Sequence, residues 1–310
     1  MSRHPGQRRY PVLRHWRDWQ SVFYMILLPL LVWWQWRHGF SFILYSIELF
    51  LTLGVGVIHH NHTHVRMWWG RWTNRFTDYW LTLLQGHPTF VFWPAHVANH
   101  HRFRHGPRDL ARTYRPEWGG DTNHLWGYLM HPVQAAFVLY PLFFRWLNNL
   151  HRHWPGAFRY CMGQYTLWLG SWSFFLWLDW QKALIFIILP QLHGLHWLLA
   201  TNYLQHAHAD GRPMTRAQRN TPGIELNYAR NFEGLVNPLL FNIGLHTAHH
   251  ECPHAHWSEL SGLHEHIYRQ RVTPALNEGG LLPYMGRVFV LGLVWPAART
   301  QPQMPPDAVK

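Results

Sequence analysis

Two apolar runs, residues 21–36 and 40–58, are separated only by Arg37, His38 and Gly39. A helical crossing of a bilayer needs about 20 apolar residues, and backbone in lipid must satisfy its own hydrogen bonds. Two runs near that length, joined by so short a turn, predict a helical hairpin in a membrane. A second pair, 164–178 and 183–200, is joined by Asp179, Trp180, Gln181 and Lys182. The expected fold is all-α, an integral membrane protein with four transmembrane helices in two hairpins and a cytoplasmic helical cap.

The rest of the chain sorts around these runs. Residues 1–20 are polar and carry Arg3, Arg8, Arg9, Arg14 and Arg17, so they are expected to stay in the cytoplasm. Residues 21–300 form the membrane domain, and 301–310 a polar, Pro-rich tail. The 21 Trp residues suit a protein with a deep interfacial layer. A mean hydropathy of −0.23 is too low for a chain mostly in lipid, so few spans should carry a large polar cap. Residues 77–93, broken by Gly86 and Pro88, are read as an interfacial helix and turn. Residues 132–147 contain Pro141, and Arg145, Arg152 and Arg159 lie in or after them; they too are read as lying along the membrane. Glu48, inside the second run, marks either a functional group or a polar contact to the neighbouring helix.

The net charge of +12 is almost all arginine; Lys182 and Lys310 are the only lysines. Such charge suits topology, anionic headgroups or an acidic protein partner. No basic segment sits on a nucleic-acid-binding motif, so nucleic acid is not expected as a partner. Cys161 and Cys252 lack CxxC spacing and read as isolated thiols. Arginine in place of lysine suits a GC-rich bacterial genome, hence a cytoplasmic (inner) membrane.

The 27 histidines are concentrated where the apolar runs end. His60 and His64 are i, i+4 neighbours, with His59 and His64 the alternative pair, and His62 points elsewhere. His96 and His100 share a helical face, while His101 lies about a quarter turn away and could address a second metal. Asn202 and His206 are again i, i+4. His246, His249 and His250, in HxxHH, stack on one face within one turn. His254, His256, His264 and His266 are expected at the surface or behind the ligands. Two hairpins that each return to their starting side put all four groups on one face of the membrane. A single metal centre requires that, because imidazole is a good ligand for iron, zinc and copper.

The order of the four groups, their helical spacings and their place beside two hairpins resemble the membrane fatty acid desaturase and hydroxylase superfamily. The resemblance covers roughly residues 21–266. The segment Asn202-Tyr203-Leu204-Gln205-His206 is similar to the matching segment of membrane alkane hydroxylases and acyl-CoA desaturases. What the resemblance implies is a non-haem di-iron centre, two iron ions with molecular oxygen as co-substrate. The implied ligands are His60, His64, His96, His100, His101, His206, His246, His249 and His250, with Asn202 reaching an iron through water. It also implies an oxidoreductase that introduces a double bond into an acyl chain of a lipid. The second group has three spacer residues where many desaturases have two. Some hydroxylases share that form, which keeps an alkyl-chain or carotenoid hydroxylase or ketolase as the alternative. The chain has no ferredoxin, flavin or haem motif, so an external electron donor is implied, ferredoxin-, rubredoxin- or cytochrome b5-like. A His-rich metal transporter is the remote alternative. It needs histidines along a path through the bilayer, and only His193 and His196 sit within a span.

Overall fold

In the computed structural model, residues 12–113, 125–207, 209 and 214–299 are described. Most of the Arg-rich N-terminal segment, with Arg3, Arg8 and Arg9, and the 301–310 tail lie outside the described residues. The described chain is helical almost throughout. Its strands are β1 (Asn231–Phe232) and β2 (Asn277–Glu278), which pair in parallel.

The first expected hairpin is α1 (Trp19–His38) and α2 (Phe42–His64). The turn between them needs Gly39, whose φ of 96° is costly for other residues. On α1, Ser21, Tyr24, Met25 and Leu28 are buried at helical spacing, while Phe23, Ile26, Leu30 and Trp33 are exposed. An exposed face that is apolar is what a lipid-facing helix requires. Glu48 is fully buried and accepts a hydrogen bond from Gln35 Nε2 at 2.6 Å, which is the polar contact between helices foreseen for it.

The second hairpin is α6 (Pro155–Leu178) and α7 (Trp180–His206), hinged at Asp179, whose carboxylate caps α7 through the Lys182 N–H. Among the described residues, two helices qualify by length and apolarity to cross a membrane, α2 and α7, not the four expected. Helices α1 and α6 are long enough, but Trp, Gln and Tyr dilute their hydropathy. Tryptophan prefers the interface to the hydrocarbon core.

Two further helices pack against these hairpins. Helix α3 (Arg71–Gln85) is amphipathic and ends in a left-handed Gly86. It packs against α1, α2, α6 and α7, and Gln191 on α7 donates to Leu83 C=O at 2.8 Å. Residues 132–147 belong to α5 (Leu125–His153), a single 29-residue helix that runs through Pro132 and Pro141. At 1.5 Å per residue it is roughly 43 Å long. A proline removes one hydrogen bond, and packing of α5 along α6 and α7 tolerates that loss.

Helix α2 packs closely along α7. A Cβ on Gly194 would meet Thr52 backbone at 2.9 Å, so only glycine allows this approach. The contact matters because α2 and α7 both carry histidines at their ends. Gly194→Leu should destabilise the protein by about 1–3 kcal/mol through overpacking, measured as thermal unfolding in detergent. Gly170→Ala, with open space around its Cβ position, should not. Equal stability of the two variants would mean that α2 and α7 are not held this closely.

Candidate metal centre

The ends of four elements converge. Helix α2 delivers His60 and His64. Helix α4 (Trp93–His100, running into His101–Phe103) delivers His96, His100 and His101, α7 delivers His206, and α8 (His246–Glu251) delivers the last three. The nine imidazoles fall into two groups able to hold metal ions. One contains His60, His64, His96, His101 and His249; the other contains His100, His206, His246 and His250. Within each group the ligand atoms all lie within 4.8 Å of one another. The groups touch, for the His101 and His250 rings stack with centroids 4.4 Å apart.

The winding of α4 decides which histidine goes where. It is a π-helix, and the His101 N–H bonds His96 C=O five residues back. That wider turn sets residues five apart on one face. His96 therefore sides with His101, and His100 points to the other group. The expected pairing of His96 with His100 assumed ordinary α winding.

Other candidates fall outside both groups. His59 is buried but holds Thr89 C=O at 2.9 Å, which leaves His60 as the ring of this pair in the cluster. His62 accepts from the Met67 N–H and lies 3.6 Å from Asp78. Asn202 donates to Ala111 C=O at 3.1 Å and borders the cavity described below. His256 and His264 are buried, not superficial, but face Asp18 and Glu233. Cys161 and Cys252 are free thiols.

Supporting contacts fix the tautomers. His206 Nδ1 lies 2.8 Å from Tyr228 C=O, which can only accept. His100 Nδ1 lies 2.7 Å from the Asp109 carboxylate. In the neutral rings both N–H groups then point outward, and the two Nε2 lone pairs face each other at 3.1 Å. In the other group His60 and His96 approach Nε2 to Nε2 at 2.8 Å, and the buried His64 Nε2 has no hydrogen-bond partner. Facing lone pairs repel unless a cation sits among them, so the arrangement fits metal. Burial first, then neighbouring imidazoles, pushes His96, His101, His246, His249 and His250 well below the ordinary histidine pKa. Neutral imidazole is the form that binds metal.

Asp109 was not singled out in the sequence. It is 1 % exposed and also accepts from the backbone N–H groups of His105 (2.7 Å) and Ala111 (2.8 Å). Burial pushes its carboxyl up, but His100 and these hydrogen bonds outweigh that and hold it below its usual value. The turn that brings it under His100 uses left-handed backbone at Arg104 and His105, φ 44° and 62°. His105 is buried, with its ring stacked on His206.

Beneath the histidines lies a cavity of about 700 Å³. His60, His96, His100 and His246 form its roof, and Leu53, Val57, Phe92, Leu139 and Leu199 are among its walls. Leu235 and Leu282 also line it and are 95 % and 64 % exposed, so it reaches the protein surface at an apolar mouth. On the opposite side the second group is covered by a polar layer. Tyr228 donates to Glu251 at 2.7 Å, Arg104 and Arg219 pair with Glu251, and Arg104 donates to His250 C=O at 3.2 Å.

Two outcomes follow from these contacts. Asp109→Asn should weaken metal retention about 10- to 100-fold, read as metal content after dialysis against a chelator; unchanged retention would remove its supporting role. The five rings above stay neutral in the fold yet take up protons near 6.5 when unfolded. The metal-free chain should therefore lose thermal stability as pH falls from about 7.5 to about 5.5. A midpoint that stays fixed would mean the rings are solvated.

No curated protein matches the chain, and no solved structure does. A model of the fatty acid desaturase family matches residues 35–276, from the last turn of α1 to just before β2, and so takes in all nine clustered histidines. That family is membrane-associated, and membership implies an oxidoreductase with a lipid substrate. With the match extending over most of its length, the chain belongs to the fatty acid desaturase family.

Proposed function

We propose that this protein is an oxygen-dependent di-iron desaturase that introduces a double bond into an acyl chain of a membrane lipid. The observation that carries the reading is the position of two adjacent imidazole groups at the roof of an apolar cavity with an apolar mouth. On this reading His60, His64, His96, His101 and His249 hold one iron, and His100, His206, His246 and His250 the other. Asn202, at the cavity edge, is placed to hold a water. Bound there, the two irons with molecular oxygen would supply the C–H oxidation that acid–base side chains cannot perform.

The chain's own residues would do the rest. Exposed Leu235 and Leu282 admit an acyl chain sideways from lipid, and the cavity walls exclude water and orient the chain. Asp109 and Tyr228 C=O keep His100 and His206 in the metal-binding tautomer. The balance removes two hydrogens from neighbouring methylenes and reduces oxygen to two waters, with two electrons from an external ferredoxin-, rubredoxin- or cytochrome b5-like donor and two protons from solvent.

On this reading the histidine-bearing ends of α2 and α7 lie on the cytoplasmic side of a bacterial inner membrane. Arg14, Arg66 and Arg71 lie at the same helix ends as His60 and His64, in keeping with the preference of positive charge for that side.

Expression with a reductase, followed by mass analysis of total lipids, tests the reaction. A product lighter by two hydrogens is expected. A product heavier by one oxygen would replace desaturation with hydroxylation. His250→Ala and His206→Ala should each abolish product and lower bound iron while the protein still inserts; full iron and turnover in either would end the ligand assignment.

A further inference from the structure

A second concave site lies away from the histidines, where α2 gives way to α3. Arg14, Arg66, Arg71 and Arg75, with Trp69 and Tyr160, line a cleft of about 370 Å³. The backbone around it is held firmly. Residues 12–14 run antiparallel to 67–69, with Arg14 N–H bonded to Met67 C=O at 2.8 Å and Trp69 N–H to Val12 C=O at 3.1 Å. Asn74 locks the start of α3 by donating to Trp68 C=O and Gly70 C=O, both at 2.8 Å. The cleft is thus formed before any ligand arrives, which removes the ordering cost of binding.

Its charge is unbalanced. Asp78 is the one carboxylate among the lining residues, and it is already taken by Arg66 (2.7 Å) and the Tyr160 hydroxyl (2.7 Å). Arg14, Arg71 and Arg75 have no carboxylate partner among the described residues. Arg14 lies 5.0 Å from the Trp69 ring, and Arg75 lies 5.2 Å from Trp72 and 5.3 Å from Tyr160. Guanidinium stacked on rings keeps its N–H edges for an anion, and its planar fork matches phosphate oxygens.

The surroundings say where such an anion would come from. Trp69 lines the cleft and Trp72 lies against Arg75; Trp16, Trp19 and Phe76 are close to the cleft arginines in sequence, and all five have 53–74 % of their surface exposed. Below them the exposed face of α1 is apolar, with Phe23, Ile26 and Leu30. Tryptophan gathered above an apolar face and beside arginine marks the headgroup level of a bilayer. A water-soluble acidic protein would have to dock against these large exposed rings.

We propose that this cleft binds the phosphodiester of an anionic phospholipid from the surrounding bilayer, as a site separate from the histidine centre. Arg71 and Arg75 engage the phosphate oxygens, and the neighbouring tryptophans lie against the upper acyl chain. The lipid fixes the register of α3, and through it α2, against the membrane.

Native mass spectrometry of the full metal-loaded protein in neutral detergent tests this. The probes are dioleoylphosphatidylglycerol, dioleoylphosphatidylcholine and inorganic phosphate. The phosphatidylglycerol adduct should survive where the phosphatidylcholine adduct does not. Arg71→Gln/Arg75→Gln should weaken it roughly thirty-fold, with metal content and circular dichroism unchanged. Arg145→Gln/Arg152→Gln, on α5, should leave it intact. Should the double variant misfold, Arg71→Gln alone carries the same comparison with a roughly five-fold loss. Equal retention of the two lipids, or parent-like binding by the arginine variants, overturns the proposal. So does inorganic phosphate that binds with the same arginine dependence and displaces the lipid, since the ligand is then free phosphate. Loss of binding to an acidic ferredoxin in the double variant, with lipid retention unchanged, would make the surface a protein dock and also overturn it.

Discussion

Nine imidazoles, six of them buried, converge with their ring nitrogens facing one another, and much of the architecture can be read as meeting that demand. Rings whose lone pairs converge at about 3 Å in a dry interior repel each other. They persist only if their outer nitrogens are anchored and their inner ones share a cation. The anchors come from diverse places: a carboxylate at Asp109, a backbone carbonyl at Tyr228, the side-chain amide of Asn61 beside His60. Asn61 lies inside the first histidine group, but Asp109 and Tyr228 lie outside all four. The motif supplies the ligand atoms, and segments remote in sequence supply the direction in which those atoms point.

Directional control of this kind needs rigid helix ends. The α2–α7 contact at Gly194 and Thr52 provides it from below. From the side, Trp257 donates to the buried Asp18 at 3.0 Å and ties the segment after α8 to the start of α1. Tyr24, which packs edge-on against Phe241, donates to Leu239 C=O and makes a second tie of the same sort. The three histidines of α8 are thereby held against those of α2, although the helix that carries them is only six residues long.

The hairpins and the four histidine groups were legible because each has a local signature: apolar length, tight turns, and imidazoles three to five residues apart. What was not legible depends on winding or on distant partners. Nothing in Trp93–His100 announces a π-helix, so an α-helical wheel put His100 where His101 belongs. Residues 132–147, with Pro141 inside, read as a separate short segment, yet packing against α6 and α7 carries α5 through both Pro132 and Pro141. Asp109 belongs to no motif. Its value comes from the turn at Arg104 and His105, whose left-handed conformation has no glycine to betray it. The four-span reading rested on counting tryptophan as membrane material, and among the described residues only α2 and α7 are apolar enough without that allowance.

The two sides of the centre differ in chemistry, and the difference bears on how an oxidase would be supplied. Below the rings the cavity is apolar and opens between Leu235 and Leu282, a path suited to a hydrocarbon chain and hostile to charge. Above them Tyr228, Glu251, Arg104 and Arg219 form a hydrogen-bonded polar layer, with the Tyr228 ring centroid 5.5 Å from that of His250. On the proposed reading, a reaction that joins a lipid to electrons from an external donor has to meet two incompatible solvents. Placing the imidazoles at the boundary lets each reactant approach through the medium that solvates it, and the cluster is then the one place where both can arrive.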